Sequence, residues 1–332
     1  MKRRIPTGAL LILSLALMAS PSRAQTGPRL PTVYWTGGIA KAQMLKEAGI
    51  EQLAVPPAQI AAWQKAGFKV VGVSQAELAR RRKLMVPRIA GRGANVASAT
   101  RRPWIDANGW IFIRRPKGRF YYDLPAGKAA MAAAEAYAYG ADALLKIVPE
   151  DIQEAGRMLA FLRRLPALDL PVMADFAVVD NRSKLLDEVL NLLTRRNLLY
   201  TLVPAPSPRY SLNIRLGTPE FPDADAADPS AFAQTIRQRI GDDHRSLRLY
   251  GTEIVIARVT GDETRARVHL INYSGREADS LRIKLRGDYG PGEIRAFGVE
   301  NPLLEEIAYR DGATEFTISK MGVYAVIDLP RK

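Results

Sequence analysis

The sequence contains no cysteine and only two histidines in 332 residues. The absence of cysteine excludes disulfide bonds, thiolate metal ligands and a lipid-modified cysteine near the N-terminus. Neither His244 nor His269 belongs to a metal-ligand motif, and two histidines make a Ser-His-Asp triad improbable. The motifs G-x-S-x-G, G-x-G-x-x-G and the phosphate-binding P-loop are also absent. We therefore expect no metal site and no cofactor.

The sequence also lacks a long hydrophobic run. Its most apolar stretch, residues 8–19, has about 12 residues, whereas spanning a bilayer takes about 20. Three basic residues at positions 2–4 precede this stretch, and the small residues Ser22 and Ala24 follow it. The pattern predicts a cleavable signal peptide over residues 1–24 and a secreted or periplasmic protein without an integral membrane segment after cleavage. An uncleaved membrane anchor is the alternative.

Basic residues outnumber acidic ones, and the excess is concentrated in one segment. Without the predicted signal peptide the chain has 44 basic and 34 acidic side chains, a net charge of +10. Residues 80–119 alone carry a net charge of +11, because Asp106 is their one acid. The twelve bases are Arg80, Arg81, Arg82, Lys83, Arg88, Arg92, Arg101, Arg102, Arg114, Arg115, Lys117 and Arg119. An exported protein seldom meets nucleic acid, so an anionic polysaccharide or membrane surface is the expected partner. A solvated basic surface without a ligand is the alternative.

The order of predicted elements indicates two domains. In residues 25–241, β-rich runs alternate with helical ones, which predicts parallel strands joined by right-handed crossovers. A long basic insertion, residues 80–125, interrupts this alternation. Strands are predicted at 32–35, 52–55, 69–73, 143–147, 172–179 and 199–203, helices at 39–48, 57–66, 126–139, 149–165, 183–196 and 231–240, and a hairpin from 111–113 to 120–122.

The C-terminal region has a different period. From about residue 246, polar and apolar residues alternate, which predicts an antiparallel β-sandwich over residues 246–332. Its strands are predicted at 253–259, 265–272, 281–285, 293–297, 314–318 and 323–329. The domain boundary is expected between residues 241 and 247.

Three stretches resemble parts of β-galactosidase-related glycosyl hydrolases. The run AAMAAAEAYAYGADALLKI (129–147) resembles a helix and strand late in their barrels. The run ADFAVVDNRSKLLDEVLNLLTRRNLLYTLV (174–203) is similar to the segment after the barrel, and RVHLINYSG (267–275) to a strand of their small C-terminal β-domain. The resemblance implies a TIM-like barrel, shortened or degenerate, followed by a β-sandwich. An open α/β sheet is the alternative for the first domain.

The resemblance also implies a place for catalytic residues. In such enzymes the catalytic pair sits at strand ends, commonly as Asn-Glu, and residues 30–145 contain no Asn-Glu pair. Because glycoside hydrolysis usually needs two carboxyl groups, we take Asp106, Asp123 and Asp180 as candidate catalytic residues. Asp180 follows a predicted strand, where barrel active sites lie. Each has an ordinary alternative as a turn residue, helix cap or ion-pair partner.

Aromatic and basic residues are the candidates for substrate binding. Trp35 ends the first predicted strand, and Trp104 and Trp110 flank the acid at 106, so their rings are placed to stack on sugars. The other binding candidates are Arg101, Arg102, Tyr122, Lys146 and Asp175.

Three further acids have structural or surface interpretations. Asp175 lies within an apolar strand, so it needs a buried partner, and Lys146 is the predicted one. Glu150 is expected to complement a helix dipole. Glu135, in the alanine-rich helix, is expected in solvent, and a position facing the barrel is the alternative.

Three functions fit these observations. The first is a secreted glycosidase acting on a polysaccharide, which requires two carboxyl groups facing one pocket. The second is a non-catalytic carbohydrate-binding protein on the same fold, which requires arginines and aromatics in a groove without such a pair. The third is a surface protein that binds anionic envelope polymers through a convex basic face. Glycosidase-like function is slightly favoured, and nothing in the sequence indicates the oligomeric state.

Overall fold

The computed structural model describes residues 29–90 and 104–332. Residues 1–28, with the predicted signal peptide, and residues 91–103, with Arg92, Arg101 and Arg102, lie outside the described residues. Strands of the α/β region are β1 (Thr32–Tyr34), β2 (Gln52–Val55), β3 (Lys69–Gly72), β4 (Arg82–Lys83), β5 (Arg88–Ala90), β6 (Trp104–Asp106), β7 (Arg119–Asp123), β8 (Asp142–Lys146), β9 (Phe176–Val179), β10 (Tyr200–Val203) and β11 (Asn213–Ile214).

Short and medium helices connect these strands. They are α1 (Ala42–Glu47), α2 (Ile60–Lys65), α3 (Gln75–Arg80), α4 (Gly109–Arg114), α5 (Ala129–Ala138), α6 (Ile152–Arg164), α7 (Lys184–Arg195), α8 (Asp223–Ala226) and α9 (Pro229–Ile240). Ser74, Ser183 and Asp228 cap α3, α7 and α9 by accepting hydrogen bonds from backbone N–H groups of the first turn. Within the described part of the chain, no helix has the length and apolar character needed to cross a membrane.

Six strands form a parallel sheet in the order β3-β2-β1-β8-β7-β4. Read from β1, the strands follow one another around the sheet in chain order, as in a barrel, and β3 and β4 are its two edges. The helix α3 connects these edges. Strands β9, β10 and β11 form a separate parallel sheet in the order β10-β9-β11. The α/β region therefore has barrel-like strand order in an open sheet.

The two faces of the six-stranded sheet differ. Three crossovers run toward the same edge of the sheet: β1-α1-β2, β2-α2-β3 and β7-α5-β8. Because crossovers between parallel strands are right-handed, the helices of all three lie on one face of the sheet. Val33, Leu53 and Leu145 on that face belong to the main hydrophobic core, together with α1, α2, α5 and α6. The opposite face carries a small cluster, which Leu78 of α3 covers in part: Tyr34, Ala54, Val73, Tyr121 and Leu144.

Close helix packing supports the main core. All ten residues of α5 are buried, and its alanines let α6 approach. On the other side of α6, Gly156 lies against α1, where an added Cβ would sit 1.9 Å from the carbonyl oxygen of Ala48. Only glycine fits at this contact.

The C-terminal region is a sandwich of two four-stranded antiparallel sheets. The strands are β12 (Leu247–Tyr250), β13 (Val255–Gly261), β14 (Arg265–Asn272), β15 (Ala278–Arg286), β16 (Glu293–Ala296), β17 (Leu304–Arg310), β18 (Ala313–Met321) and β19 (Tyr324–Pro330). Their orders in the two sheets are β12-β15-β18-β17 and β13-β14-β19-β16. Val268, Ile283 and Phe316 lie between the sheets, whereas Ile271 and Tyr324 join the main core of the α/β region. The two regions thus pack as one body.

One local prediction is wrong. Residues 111–113 do not pair with 120–122 in a hairpin: the first segment lies in α4, and the second lies in β7, which pairs in parallel with β4 and β8. A short run of apolar residues does not distinguish a strand from a buried helical turn, and here residues 109–112 are all buried.

Candidate functional site

The carboxyl edge of the six-stranded sheet carries an ion-pair cluster. Asp123 and Lys146 end the neighbouring strands β7 and β8 and are register partners. The ammonium group of Lys146 lies 2.9 Å from Asp123 Oδ1, and that of Lys83 lies 3.7 Å from Oδ2. The side chains of Asp123 and Lys146 are 38% and 39% exposed. Two predicted site residues therefore meet at this edge, as a half-exposed ion pair.

Two tyrosines lie beside this cluster on the same face of the sheet. Tyr34 is the register partner of Lys146. Its ring packs edge-on against the ring of Tyr121, with 6.1 Å between the ring centroids. Burial raises the pKa of Tyr34, an effect that Lys146 opposes. Burial, with the nearby charge of Asp123, raises the pKa of Tyr121 to about 12. Both hydroxyl groups are therefore neutral and can serve as hydrogen-bond donors near neutral pH.

The aromatic binding candidates lie mostly in the core. Trp35 is 3% exposed, and the backbone of Gly37 folds over its ring so closely that an added Cβ would lie 2.7 Å from the indole. Trp110 is 7% exposed, with the guanidinium of Arg82 5.6 Å from its ring centroid. Tyr122 is fully buried. In this arrangement none of the three rings offers an open face to a sugar.

Asp106 and Trp104 lie at opposite ends of β6, which pairs with β5. Asp106 accepts a hydrogen bond of 3.0 Å from Arg88 on the paired strand. The ring of Trp104 is half-buried beneath the guanidinium of Arg195, which lies 4.0 Å from its centroid. Arg101 and Arg102, two more of the binding candidates, lie outside the described residues.

Asp180 follows β9 and is engaged by Arg114 of α4. Arg114 Nη2 donates to Asp180 Oδ1 at 2.6 Å, and the same guanidinium pairs with Asp187 of α7. Partial burial alone would raise the pKa of Asp180, but the hydrogen bonds from Arg114 and the backbone N–H of Arg182 hold it below its usual range. One arginine thus joins two carboxylates and ties α4 to α7.

The predicted pair of Asp175 and Lys146 does not form. Lys146 pairs with Asp123 instead, while Asp175 accepts a 3.0 Å hydrogen bond from the backbone N–H of Ser246. Burial raises the pKa of Asp175. The prediction failed because Asp175 belongs to the three-stranded sheet region beside the sandwich, not to the sheet of Lys146.

Glu135 was expected in solvent, and this is wrong: it is fully buried. Its carboxylate accepts hydrogen bonds from Tyr122 and Tyr273 hydroxyls, both at 2.6 Å. It also accepts from the backbone N–H of Asn108 at 2.6 Å and from its side-chain amide at 2.9 Å. Burial raises the pKa of Glu135, an effect that these donors oppose. The signal was present in the sequence, because a helix that is apolar on every side is buried together with any polar residue on it.

Arginines line two cavities. One has a volume of about 460 Å³ and lies at the amino ends of β4 and β7. Its basic lining residues all come from the predicted basic segment: Arg80, Arg81, Arg82, Arg115 and Arg119. Arg81 and Arg119 pair with Glu77, at 3.7 and 3.3 Å. The predicted basic segment therefore forms part of a concave surface.

The second cavity has a volume of about 480 Å³ and was not predicted. It lies where the end of α7 meets α9 and the residues after β12. The arginines that line it are Arg195, Arg196, Arg237, Arg245 and Arg248. They come from the end of α7, from α9 and from residues 245–248, so no window of the sequence shows the cluster.

The three candidate catalytic acids lie on different parts of the fold. Asp106 ends β6, Asp123 ends β7 of the six-stranded sheet, and Asp180 follows β9 of the three-stranded sheet. Each of them pairs with a cation. None of these three carboxylates faces another across a cavity described above. Within residues 29–90 and 104–332, no group of three or more His, Asp or Glu residues is gathered as a metal site would require.

The fold has counterparts among solved structures. An α-L-fucosidase, isoenzyme 2 from Paenibacillus thiaminolyticus, matches with a TM-score of 0.52 at 8% identity, over 89% of this chain and 80% of the fucosidase. The β-galactosidase of Rahnella sp. R3 matches with a TM-score of 0.43 at 9% identity, over 86% of this chain and 61% of the enzyme. This chain therefore spans less than two thirds of that β-galactosidase. No protein-family profile and no curated protein matches the sequence.

These matches concern the fold. The chain has a glycoside-hydrolase-like fold, with a parallel α/β region followed by a β-rich region. The resemblance seen in the sequence is confirmed at this level, and the likeness points to no particular family of these enzymes.

Proposed function

We propose that this protein binds an anionic polysaccharide without hydrolysing it. The observation that carries the proposal is the contrast between its acids and its arginines. Each candidate catalytic carboxylate is paired with a lysine or arginine, whereas arginines of the basic segment line a cavity of about 460 Å³. Hydrolysis uses two carboxyl groups across the scissile bond, and binding an acidic polymer uses guanidinium groups.

The charge of this cavity supports an anionic ligand. Five arginines line it, and two acids, Glu77 and Asp142, pair with Arg81 and Arg119. Arg80 and Arg115 are exposed and form no ion pair among the described residues. Arg82 lies over Trp110, and partial burial with the repulsion of Arg115 lowers the pKa of Arg82. An anion in the cavity would relieve that repulsion.

The first experiment measures binding and cleavage of one polymer together. Polygalacturonate, with neutral galactan as control, is mixed with the purified protein. Affinity is then measured by calorimetry, and new reducing ends are counted after long incubation. We expect salt-sensitive binding of polygalacturonate, weak binding of galactan and no new reducing ends. Release of reducing ends that Asp123→Asn abolishes would establish hydrolysis and overturn the proposal.

A matched pair of variants locates the binding surface. The double variant Arg80→Gln with Arg115→Gln removes two exposed charges from the cavity, and we expect about tenfold weaker polymer binding. Lys65→Gln with Lys69→Gln removes two exposed charges elsewhere and is expected to leave binding nearly unchanged. Equal losses in both variants would mean that net charge, and not this cavity, holds the polymer.

We also propose that the protein acts outside the cytoplasm, which the signal-like residues 1–24 support. Expression of the full chain followed by N-terminal sequencing of the exported product tests this. A mature terminus at Gln25 is expected. An intact N-terminus on a membrane-bound product would indicate an anchor instead.

A further inference from the structure

The unpredicted cavity at the ends of α7 and α9 has an excess of positive charge. Among the acids, Asp242 pairs with Arg237, Arg245 and Arg248, at 2.7, 3.2 and 3.8 Å, and Glu253 lines the wall. Asp243 also pairs with Arg248, at 3.5 Å. Three carboxylates thus accompany five guanidinium groups, which leaves about two positive charges around one cavity.

Arg245 is the most buried of the five arginines that line the cavity. Arg245 is 8% exposed, and within the described part of the chain its Nε atom is buried without a hydrogen-bond partner. Its Nη atoms donate to Asp242 and to the carbonyl oxygen of Asn197, at 3.2 and 3.3 Å. Burial, with the repulsion of Arg237, lowers the pKa of Arg245. A buried cation that retains an unused donor is suited to an incoming anion.

Other lining groups are suited to a sugar. Arg196 is held toward the cavity by Gln234 and Ser230, at 3.1 and 2.8 Å. The ring of Tyr250 lies 5.1 Å from the guanidinium of Arg248, and Asn197 and Thr252 contribute polar groups to the wall. A volume of about 480 Å³ lies in the range of small-molecule sites. The planar guanidinium fork matches a carboxylate in two parallel hydrogen bonds.

We propose that this cavity is a second binding site, which takes the carboxylate of a single sugar acid. The site is separate from the basic segment at residues 80–119 and goes beyond the proposed function, although its ligand class is the one proposed there. Arg245, whose Nε atom has no partner among the described residues, and Arg248 hold the carboxylate. The neutral wall around Tyr250 and Thr252 contacts the sugar ring.

The test uses three small probes with the full mature chain. Calorimetry is run with galacturonic acid, with its neutral methyl ester and with inorganic phosphate. We expect galacturonic acid to bind at least about tenfold more tightly than the ester and more tightly than phosphate. Equal binding of acid and ester, or no binding of the acid, overturns the proposal. Phosphate binding without galacturonate binding assigns the cavity to phosphate and overturns the sugar assignment.

Two sets of variants place the ligand. Thr252→Glu adds a carboxylate to the wall and is expected to abolish galacturonate binding, whereas Thr252→Gln keeps the size without the charge and retains it. Arg248→Gln should weaken binding about tenfold. Arg239→Gln is its control, because Arg239 does not line the cavity and pairs with Glu220 at 3.0 Å. Thermal unfolding of each variant verifies the fold, and equal weakening by Arg248→Gln and Arg239→Gln overturns the assignment.

The second site can be tested separately from the proposed function. Arg80→Gln with Arg115→Gln is expected to keep full affinity for the galacturonic acid monomer, since neither residue lines this cavity. If the polymer does not bind but the monomer does, the proposed function fails and the second site stands. If the polymer binds and the monomer does not, the second site fails and the proposed function stands.

Discussion

Two carboxylates close together in the chain have opposite surroundings. Glu135 on α5 is fully buried and accepts four hydrogen bonds, three of them from the hydroxyl groups and side-chain amide of Tyr122, Tyr273 and Asn108. Asp123 at the end of β7 is 38% exposed and lies between two lysine ammonium groups. The first carboxylate joins the α/β region to the sandwich through Tyr273, and the second stands at a surface that a ligand can reach.

Buried polar groups such as Glu135 stabilise the fold, whereas exposed ones such as Asp123 are available for binding. A buried donor or acceptor that loses its partner costs its full desolvation free energy, whereas an exposed ion pair is replaced by water at little cost. Substitutions along this series should therefore lower the free energy of unfolding by progressively smaller amounts, from Glu135 to Asp123.

Glu135→Leu is expected to have the largest effect. It leaves two tyrosine hydroxyls and the amide groups of Asn108 without their acceptor in the core, and we expect a loss of about 3–5 kcal/mol in the free energy of unfolding. Urea unfolding followed by tryptophan fluorescence measures this. Glu135→Gln keeps the size and one acceptor, so a smaller loss is expected. A loss below about 1 kcal/mol for Glu135→Leu would contradict the role of the network.

The buried network also shows what the sequence could and could not predict. The alternation of strands and helices, the change of period near residue 246 and most strand positions were predictable, because they follow from local apolar patterns. Strand β17 was missed because residues 304–310 are mostly exposed and lack clear alternation. The burial of Glu135 was predictable from the wholly apolar helix around it, but its partners come from β7, the start of α4 and the sandwich, and only the tertiary structure brings them together.

The two arginine-lined cavities also differ in how far the sequence could predict them. The cavity at the amino ends of β4 and β7 is lined by bases that are close in sequence, so the basic segment was recognisable. The second cavity takes its bases from the end of α7, from α9 and from residues 245–248, up to 53 positions apart, from Arg195 to Arg248. Distances between side chains, and hence ion pairs such as Asp123 with Lys146, depend on sheet register, which the sequence did not specify.

His269 lies in β14, on the sandwich side of the interface between the two regions. Burial, with the positive charges of Arg267 and Arg258, lowers the pKa of His269 to about 3, and its Nδ1 lies 2.7 Å from the hydroxyl of Tyr324. The unfolded chain binds this proton near pH 6.5 and the folded protein does not. The stability linked to His269 is therefore complete above pH 6.5 and is lost as the pH falls toward 3.

The expected loss is about 3 kcal/mol between pH 7 and pH 4. Urea unfolding of wild type and of His269→Gln across this range isolates the contribution, since the other titrating groups are common to both proteins. Wild type should lose stability relative to the variant as the pH falls. Parallel pH profiles would show that the folded protein protonates His269 as readily as the unfolded chain does.

Arg114→Leu should have an intermediate effect. The Arg114 side chain is 9% exposed and its two partners, Asp180 and Asp187, are 24% and 28% exposed. Removal leaves two carboxylates that water reaches in part, so we expect a loss of about 1–3 kcal/mol. The double variant with Asp180→Asn should recover part of this loss, because it removes one unpaired charge. Additive losses in this cycle would mean that the two side chains do not interact.

Asp123→Asn is expected to change stability least, by less than about 0.5 kcal/mol, because its ion pairs are half-exposed and an amide still accepts a hydrogen bond from lysine. The same substitution tests whether this edge of the sheet serves ligand binding. We expect polygalacturonate affinity to stay the same or rise slightly, since a negative charge is removed and Lys83 and Lys146 are released. Thermal unfolding and calorimetry on one preparation measure both quantities. A stability loss comparable to that of Glu135→Leu would mean that Asp123 belongs with the buried, structural carboxylates, and the distinction between the two sites would no longer hold.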